Sequence, residues 1–171
     1  VPEPQIVNAM FFGVPQHRER IYIVGFRKDL GLTAEDFSYP EQKEVTKKWI
    51  DVREENPVPA KYYLSTTYQQ TLIKHKARHA AKGNGFGYDI IPDDGIAHAI
   101  VVGGMGRESN LVIDFRKKDL TPTTNIKGTV NTDGWRKMTP REWARLQGYP
   151  DNFKIVVADA SAYKQFGNSV A

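Results

Sequence analysis

The 171-residue sequence predicts a chain that mixes helices and strands, and three stretches carry that reading. "IYIVGF" at residues 21–26 is apolar on both faces, as in a strand covered on both sides. "STTYQQTLIKHKARHAAKGNG" (65–85) has the length of a helix, with Ser65 or Thr66 able to cap its start and Gly83 or Gly85 to stop it. "MTPREWARLQGYPDNF" (138–153) spells out a helix start: Thr139 caps, Pro140 takes the first helical position, and Glu142 completes a Thr-x-x-Glu box. In that helix Trp143 and Leu146 share a face, Gly148 suits the left-handed position past the end, and Pro150 prevents continuation.

The remaining elements are shorter. "VTKKWIDVREEN" (45–56) predicts an amphipathic helix, with Val45, Trp49 and Val52 spaced by four and three. "NPVPA" (56–60) breaks regular structure and is the best linker candidate. "HAIVVGG" (98–104) and "NLVIDF" (110–115) predict short strands separated by the loop "GGMGRES". "TPTTNIKGTVNTDG" (121–134) is turn-rich, and Asp133-Gly134 is a hairpin-type signal. "SAYKQFGNSVA" (161–171) predicts one helical turn, broken at Gly167.

Composition fits an ordinary globular protein, with 40% hydrophobic and 26% charged residues. No apolar run approaches the roughly 18–20 residues that cross a bilayer, so no membrane is expected as a partner. The chain opens on Val1 and stops at "GNSVA", which predicts a piece of something longer. Net charge is +4, and its distribution says more than its size. Residues 61–88 contain no acid, while Lys61, Lys74, Lys76, Arg78 and Lys82 fall there with His75 and His79. There is no cysteine, which excludes disulfides, thiolate metal sites and a cysteine nucleophile within this chain, and is compatible with a cytoplasmic setting.

Several stretches could carry chemistry. In "PQHRERIYIVGF" (15–26), extended geometry puts Gln16, Arg18 and Arg20 on one side, opposite His17 and Glu19. One amide and two planar guanidiniums suit phosphate oxygens or a base carbonyl. Arginines at a strand end paired to acids such as Glu19 are the plainer alternative. The basic helix with Lys74, Lys76, Arg78 and Lys82 is either solvated or placed to neutralise phosphates. Arg107 and Asn110, in and after the "GGMG" loop with Gly103 and Gly104, are the residue types that read guanine and adenine edges, and equally ordinary loop residues. "GNS" (167–169) is a turn, or a place where backbone approaches a ligand. His17, His75, His79 and His98 have no ligand pattern for a metal, and no nucleophile elbow marks a serine hydrolase.

Three separated segments, "GVPQHRERIYIVGF", "MTPREWARLQGYPDNF" and "YKQFGNSV", resemble in order and spacing the last three motifs of the DNA (cytosine-5)-methyltransferases. The interval between the first two matches where that family keeps its target-recognition domain. The resemblance implies an α/β fold: residues 1–57 end a Rossmann-like catalytic domain, 58–150 form a smaller, mostly β recognition domain, and 151–171 return to complete the cofactor pocket. It implies double-stranded DNA as partner and S-adenosylmethionine as cofactor, in a restriction–modification setting in the cytoplasm. Family chemistry flips the cytosine out of the helix, adds a cysteine thiolate to C6, transfers the methyl to C5 and removes the C5 proton. By resemblance, Arg20 donates to cytosine O2, Arg18 helps to hold the flipped nucleotide and its phosphate, and Gln16 braces the arginines. Asn168, Ser169 and Val170 line the cofactor pocket, and residues 139–151 anchor the recognition domain. The family's Pro-Cys nucleophile lies before this chain's opening, so activity is expected only with the upstream catalytic portion or a second subunit. The alternative is a non-catalytic DNA-binding module of methyltransferase ancestry.

Overall fold

In a computed structural model, the structure describes residues 1–103, 105–123, 126 and 128–171. Among the described residues, six strands and three α-helices follow in chain order, with short 3-10 turns between them. Strand β1 spans Gln5–Asn8, β2 Gln16–His17 and β3 Glu19–Tyr22. Helix α1 spans Thr66–Ala80, followed by β4 at Ala97–His98, β5 at Leu111–Ile113 and β6 at Trp135–Lys137. Helices α2 (Pro140–Leu146) and α3 (Asp159–Asn168) close the chain. The strands form three two-stranded pairs: β1 with β3 antiparallel, β2 with β4 parallel, and β5 with β6 antiparallel.

The main core gathers residues from far-apart segments. Trp49, Ile91, Ile100, Val112, Trp143, Leu146 and Phe166 are buried in one cluster, with α2 packed on α3. Residues from 1–57, 58–150 and 151–171 all contribute to it. A smaller cluster of Leu64, Leu72 and Leu111 seats α1.

The capping code of α2 is realised in full. The Glu142 N–H donates to Thr139 Oγ1 at 3.1 Å, and the Thr139 N–H donates to Glu142 Oε2 at 2.7 Å. Gly148, with φ +80°, provides the left-handed exit. Ser65 caps α1 by accepting from the Tyr68 N–H. Glu142 also anchors a buried cation. Arg136, fully excluded from solvent, donates to both Glu142 oxygens at 2.8 Å and to Asp114 Oδ2 at 3.0 Å. Burial acts to raise the Asp114 carboxyl, but hydrogen bonds from Arg116 and the charge of Arg136 outweigh it and hold it at about 2.

Several expectations are corrected. The strand expected over 21–26 is β3, which starts earlier and, among the described residues, pairs with β1 alone; Ile21 and Tyr22, on opposite faces, are 63% and 37% exposed, so neither face is covered by them. The helix expected over 45–56 is a single 3-10 turn at Trp49–Asp51. Asp51 accepts from the Lys48 N–H, and the Trp49 and Ile50 N–H groups donate to Gly95 and Asp93 rather than to a preceding turn. Of "HAIVVGG", only His98 is in a strand, because side chains rather than a neighbouring strand take the polar groups of Ile100. Asp133-Gly134 turns into β6, but residues 114–134 separate β5 from β6, so it is no two-residue hairpin. The expectation of a mostly β region over 58–150 fails as well. There α1 has 15 residues, whereas β4, β5 and β6 have two or three each.

Helix α3 runs through Gly167 instead of breaking there. A Cβ at Gly167 would lie 2.6 Å from Val102 Cγ2, so this glycine lets residues 101–102 sit directly on the helix.

Candidate functional site

β2 and the residues after it enter the interior of the molecule. Gln16 is completely buried: its Nε2 donates to the Leu146 carbonyl at 2.8 Å and to Gln147 Oε1 at 3.0 Å, and its Oε1 accepts from the Ile100 N–H at 2.9 Å. Arg18 is 8% exposed; its Nη1 donates to the Ile100 carbonyl at 3.0 Å and its Nη2 to the Ser169 carbonyl at 3.1 Å. Gln16 and Arg18 therefore hold the N–H and the C=O of the same residue. The expected direct bracing of the arginines by Gln16 is corrected accordingly: the amide acts through Ile100 and Gln147. Nor does Arg18 pair with an acid, since carbonyls take its donors. Burial, then the charge of Arg20, lowers the Arg18 guanidinium from its ordinary value.

Gln147 completes this network, and the sequence offered no sign of its role beyond its place at the end of α2. Its Nε2 lies 2.6 Å from the Phe166 carbonyl and 3.1 Å from both the carbonyl and the hydroxyl of Ser169. The C-terminal segment is thus fixed by two side chains, Arg18 between β2 and β3 and Gln147 just past the end of α2.

Arg20 differs from its neighbours. It is exposed, and its Nη1 donates to the Glu19 carbonyl at 2.6 Å. Arg18, Arg20, Tyr22 and Val170 border one cavity of about 230 Å³. The structure thereby brings together Arg18, Arg20 and Tyr22 from the opening motif and Val170 from the closing motif, across nearly the whole chain. Asn168 is exposed and its carboxamide makes no hydrogen bond among the described residues. Ser169 faces the other way: its hydroxyl donates to the Phe166 carbonyl at 2.8 Å and accepts from Gln147, so its side chain serves the network.

The nominated recognition residues divide in two. Lys74, Arg78 and Lys82 are exposed and repeat every fourth residue along and just beyond α1, and none forms an ion pair among the described residues. Lys76 instead donates to the Tyr88 carbonyl at 2.9 Å and sits 4.7 Å from the Tyr88 ring centre. An open groove of about 670 Å³ places His75 and His79 opposite Gly103, Met105 and Gly106, so α1 and the glycine loop border one space. Gly104 lies outside the described residues. Asn110 is corrected as a base reader. It is completely buried, its Oδ1 accepts from the His98 N–H at 2.8 Å, and its Nδ2 donates to the His98 carbonyl. Arg107 is exposed and lies 5.4 Å from the Tyr163 ring centre.

With this geometry in place, comparison with known proteins is informative. The model of the C-5 cytosine-specific DNA methylase family matches residues 2–171. The type II methyltransferase M.HpaII of Haemophilus parainfluenzae is 71% identical over 171 residues, covering all of this chain and 47% of that protein. The type II methyltransferase M.SsoII of Shigella sonnei is 37% identical over 166 residues, covering 97% of this chain and 40% of its own length. Among solved structures, the S. pombe Dnmt2 methyltransferase superposes with a TM-score of 0.59 at 18% identity, covering 98% of this chain and 52% of that one. A Spodoptera frugiperda DNMT2 mutant gives a TM-score of 0.63 at 16% identity, covering 99% and 54%. The structural likenesses bear on the fold, and this chain spans about half the length of those proteins or less. The match over residues 2–171 and the 71% identity establish that the chain belongs to the C-5 cytosine-specific DNA methylase family.

Proposed function

We propose that this chain is the target-reading and pocket-completing part of a type II restriction–modification DNA (cytosine-5)-methyltransferase, acting on double-stranded DNA in the cytoplasm. The observation that carries this reading is the convergence of Arg18, Arg20 and Val170 on one cavity. On this reading residues 1–57 and 151–171 belong to the catalytic part and 58–150 to the recognition part.

Arg20 is the exposed guanidinium of the two, with only Nη1 engaged, by the Glu19 carbonyl, and it donates to O2 of the extruded cytosine. Negative charge builds on the ring as a thiolate adds at C6, and a fixed cation gains most from meeting charge that develops during reaction. Arg18 and Gln16 are positioning residues, since their donors and acceptors hold Ile100 and Ser169. The thiolate comes from polypeptide outside this cysteine-free chain, either the preceding part of the same protein or a second subunit.

The C-terminal segment fits a cofactor with polar and apolar parts: the Asn168 carboxamide is without a protein partner among the described residues, and Val170 is 73% exposed at the cavity. When bound, S-adenosylmethionine supplies an electrophilic methyl group. Asn168 and Val170 would hold it, while Ser169 contributes through its carbonyl bond to Arg18.

The test is transfer of labelled methyl to DNA by this chain together with the preceding polypeptide. Arg20→Ala is expected to lower kcat by on the order of 10²–10³, as for loss of one electrostatic donor at a reacting centre. Undiminished turnover in that variant would remove Arg20 from the chemistry.

A further inference from the structure

We infer that a second pocket, between the glycine loop and α3, clasps one phosphate of the DNA backbone through Arg107 and Lys164. The pocket has a volume of about 150 Å³, several times the roughly 30 Å³ of a liquid water molecule. Its walls are Val102, Gly103, Trp143 and Tyr163, with Arg107 and Lys164 at the rim. No carboxylate lines it.

Among the described residues both cations lack a counter-ion, and the reason lies in the neighbouring acids. Glu108, next to Arg107, is buried and turned to Lys137 Nζ at 2.9 Å and the Tyr68 hydroxyl at 2.9 Å. Asp159, at the start of the helix bearing Lys164, is held by Lys61 at 2.6 Å and the Tyr62 hydroxyl at 3.0 Å. Neither Arg107 nor Lys164 has an ion pair among the described residues. Two positive charges are left beside an apolar floor, where little competes for an anion.

One wall of the pocket is anchored. The Tyr163 hydroxyl donates to the Met138 carbonyl at 2.5 Å, which fixes the ring on which Arg107 lies. A Cβ at Gly106 would sit 2.3 Å from the Val101 carbonyl oxygen, so this glycine lets residues 101 and 106 approach, and Gly167 lets Val102 rest on α3. Pocket and open groove share Val101, Val102 and Gly103, which places the clasp beside the space bordered by α1. A backbone phosphate is the oxyanion that such a position offers to a DNA-acting protein; this assignment rests on the function proposed above.

The experiment uses the complete methyltransferase polypeptide and measures duplex affinity by anisotropy between about 50 and about 200 mM salt. One neutralised phosphate contributes about 0.9 to the slope of log affinity against log salt. The double variant Arg107→Gln/Lys164→Gln is expected to lose about 0.9 of slope, so its affinity falls roughly three- to fourfold less than the parent's over that range. Equal weakening on target and non-target duplexes is expected too. An unchanged slope, a loss near 1.8 as for two separate phosphates, or an altered sequence preference would overturn the inference. Thermal protection by inorganic phosphate in the parent and not in the double variant, with the DNA slope unchanged, would identify a free-anion site and overturn the backbone assignment. A parent that binds no duplex would refute the proposed function, and phosphate protection would then still decide whether the pocket takes an oxyanion.

Discussion

Replacing Arg136 with methionine removes the cation that ties β6 to the start of α2. Three of its hydrogen bonds end on carboxylates, two on Glu142 and one on Asp114, in a site closed to solvent. After the change Asp114 retains Arg116, at 2.7 and 2.9 Å, so its charge stays balanced. Glu142 retains the N–H groups of Thr139 and Glu54 but loses its ion-pair partner, leaving the more distant charges of Arg145 and Arg116. Removing one partner of a buried ion pair costs about 3–5 kcal/mol. Because only Glu142 is stranded, a loss near the lower end, about 3 kcal/mol, is expected. With a urea m-value of about 1–3 kcal/mol/M, the unfolding midpoint falls by roughly 1–3 M. Adding Glu142→Gln to Arg136→Met removes the stranded charge and is expected to restore about 1 kcal/mol or more. A loss below about 1 kcal/mol, or a double variant no more stable than the single, would refute the view that this network fastens residues 139–151 to the rest.

Three further outcomes follow from the same contacts. Asp114, held at about 2, stabilises the fold above its ordinary value of 3.8, and this contribution disappears as pH falls toward about 2. The stability gap between the parent and Asp114→Asn should narrow across that window, and a constant gap would contradict it. Gln147→Leu removes the donors that hold Phe166 and Ser169, each bond worth roughly 0.5–1.5 kcal/mol, so the KM for the methyl donor should rise about tenfold with a smaller change in kcat. Gln147→Glu, lacking those donors, should not rescue it. Lys74→Gln and Lys82→Gln should weaken binding alike on all duplexes and flatten its salt dependence; a changed sequence preference would count against the phosphate role.

Local chemistry was legible in the sequence wherever it was self-contained. The Thr139, Pro140, Glu142 and Gly148 code describes α2 because each residue acts within its own helix. Ser65 defines α1 for the same reason. Alternation predicts a shared side for Gln16, Arg18 and Arg20, but not that Gln16 and Arg18 are buried while Arg20 is exposed, because the partners Ile100, Leu146, Gln147 and Ser169 are distant in sequence. No spacing rule reports such partners. Asn110 shows the same limit, since a residue suited to an adenine edge is equally suited to closing on the main chain of His98. Trp49 and Gly167 were misjudged because tertiary contacts, with Gly95 in one case and Val102 in the other, decide their backbone.

The central claim is that the exposed guanidinium of Arg20, and not the buried one of Arg18, meets an extruded cytosine. Its most direct measurement is 2-aminopurine fluorescence at the target base in a duplex that the complete protein methylates. Fluorescence is expected to rise on binding, and Arg20→Ala to abolish most of that rise while duplex affinity falls far less. Full fluorescence in Arg20→Ala would contradict it.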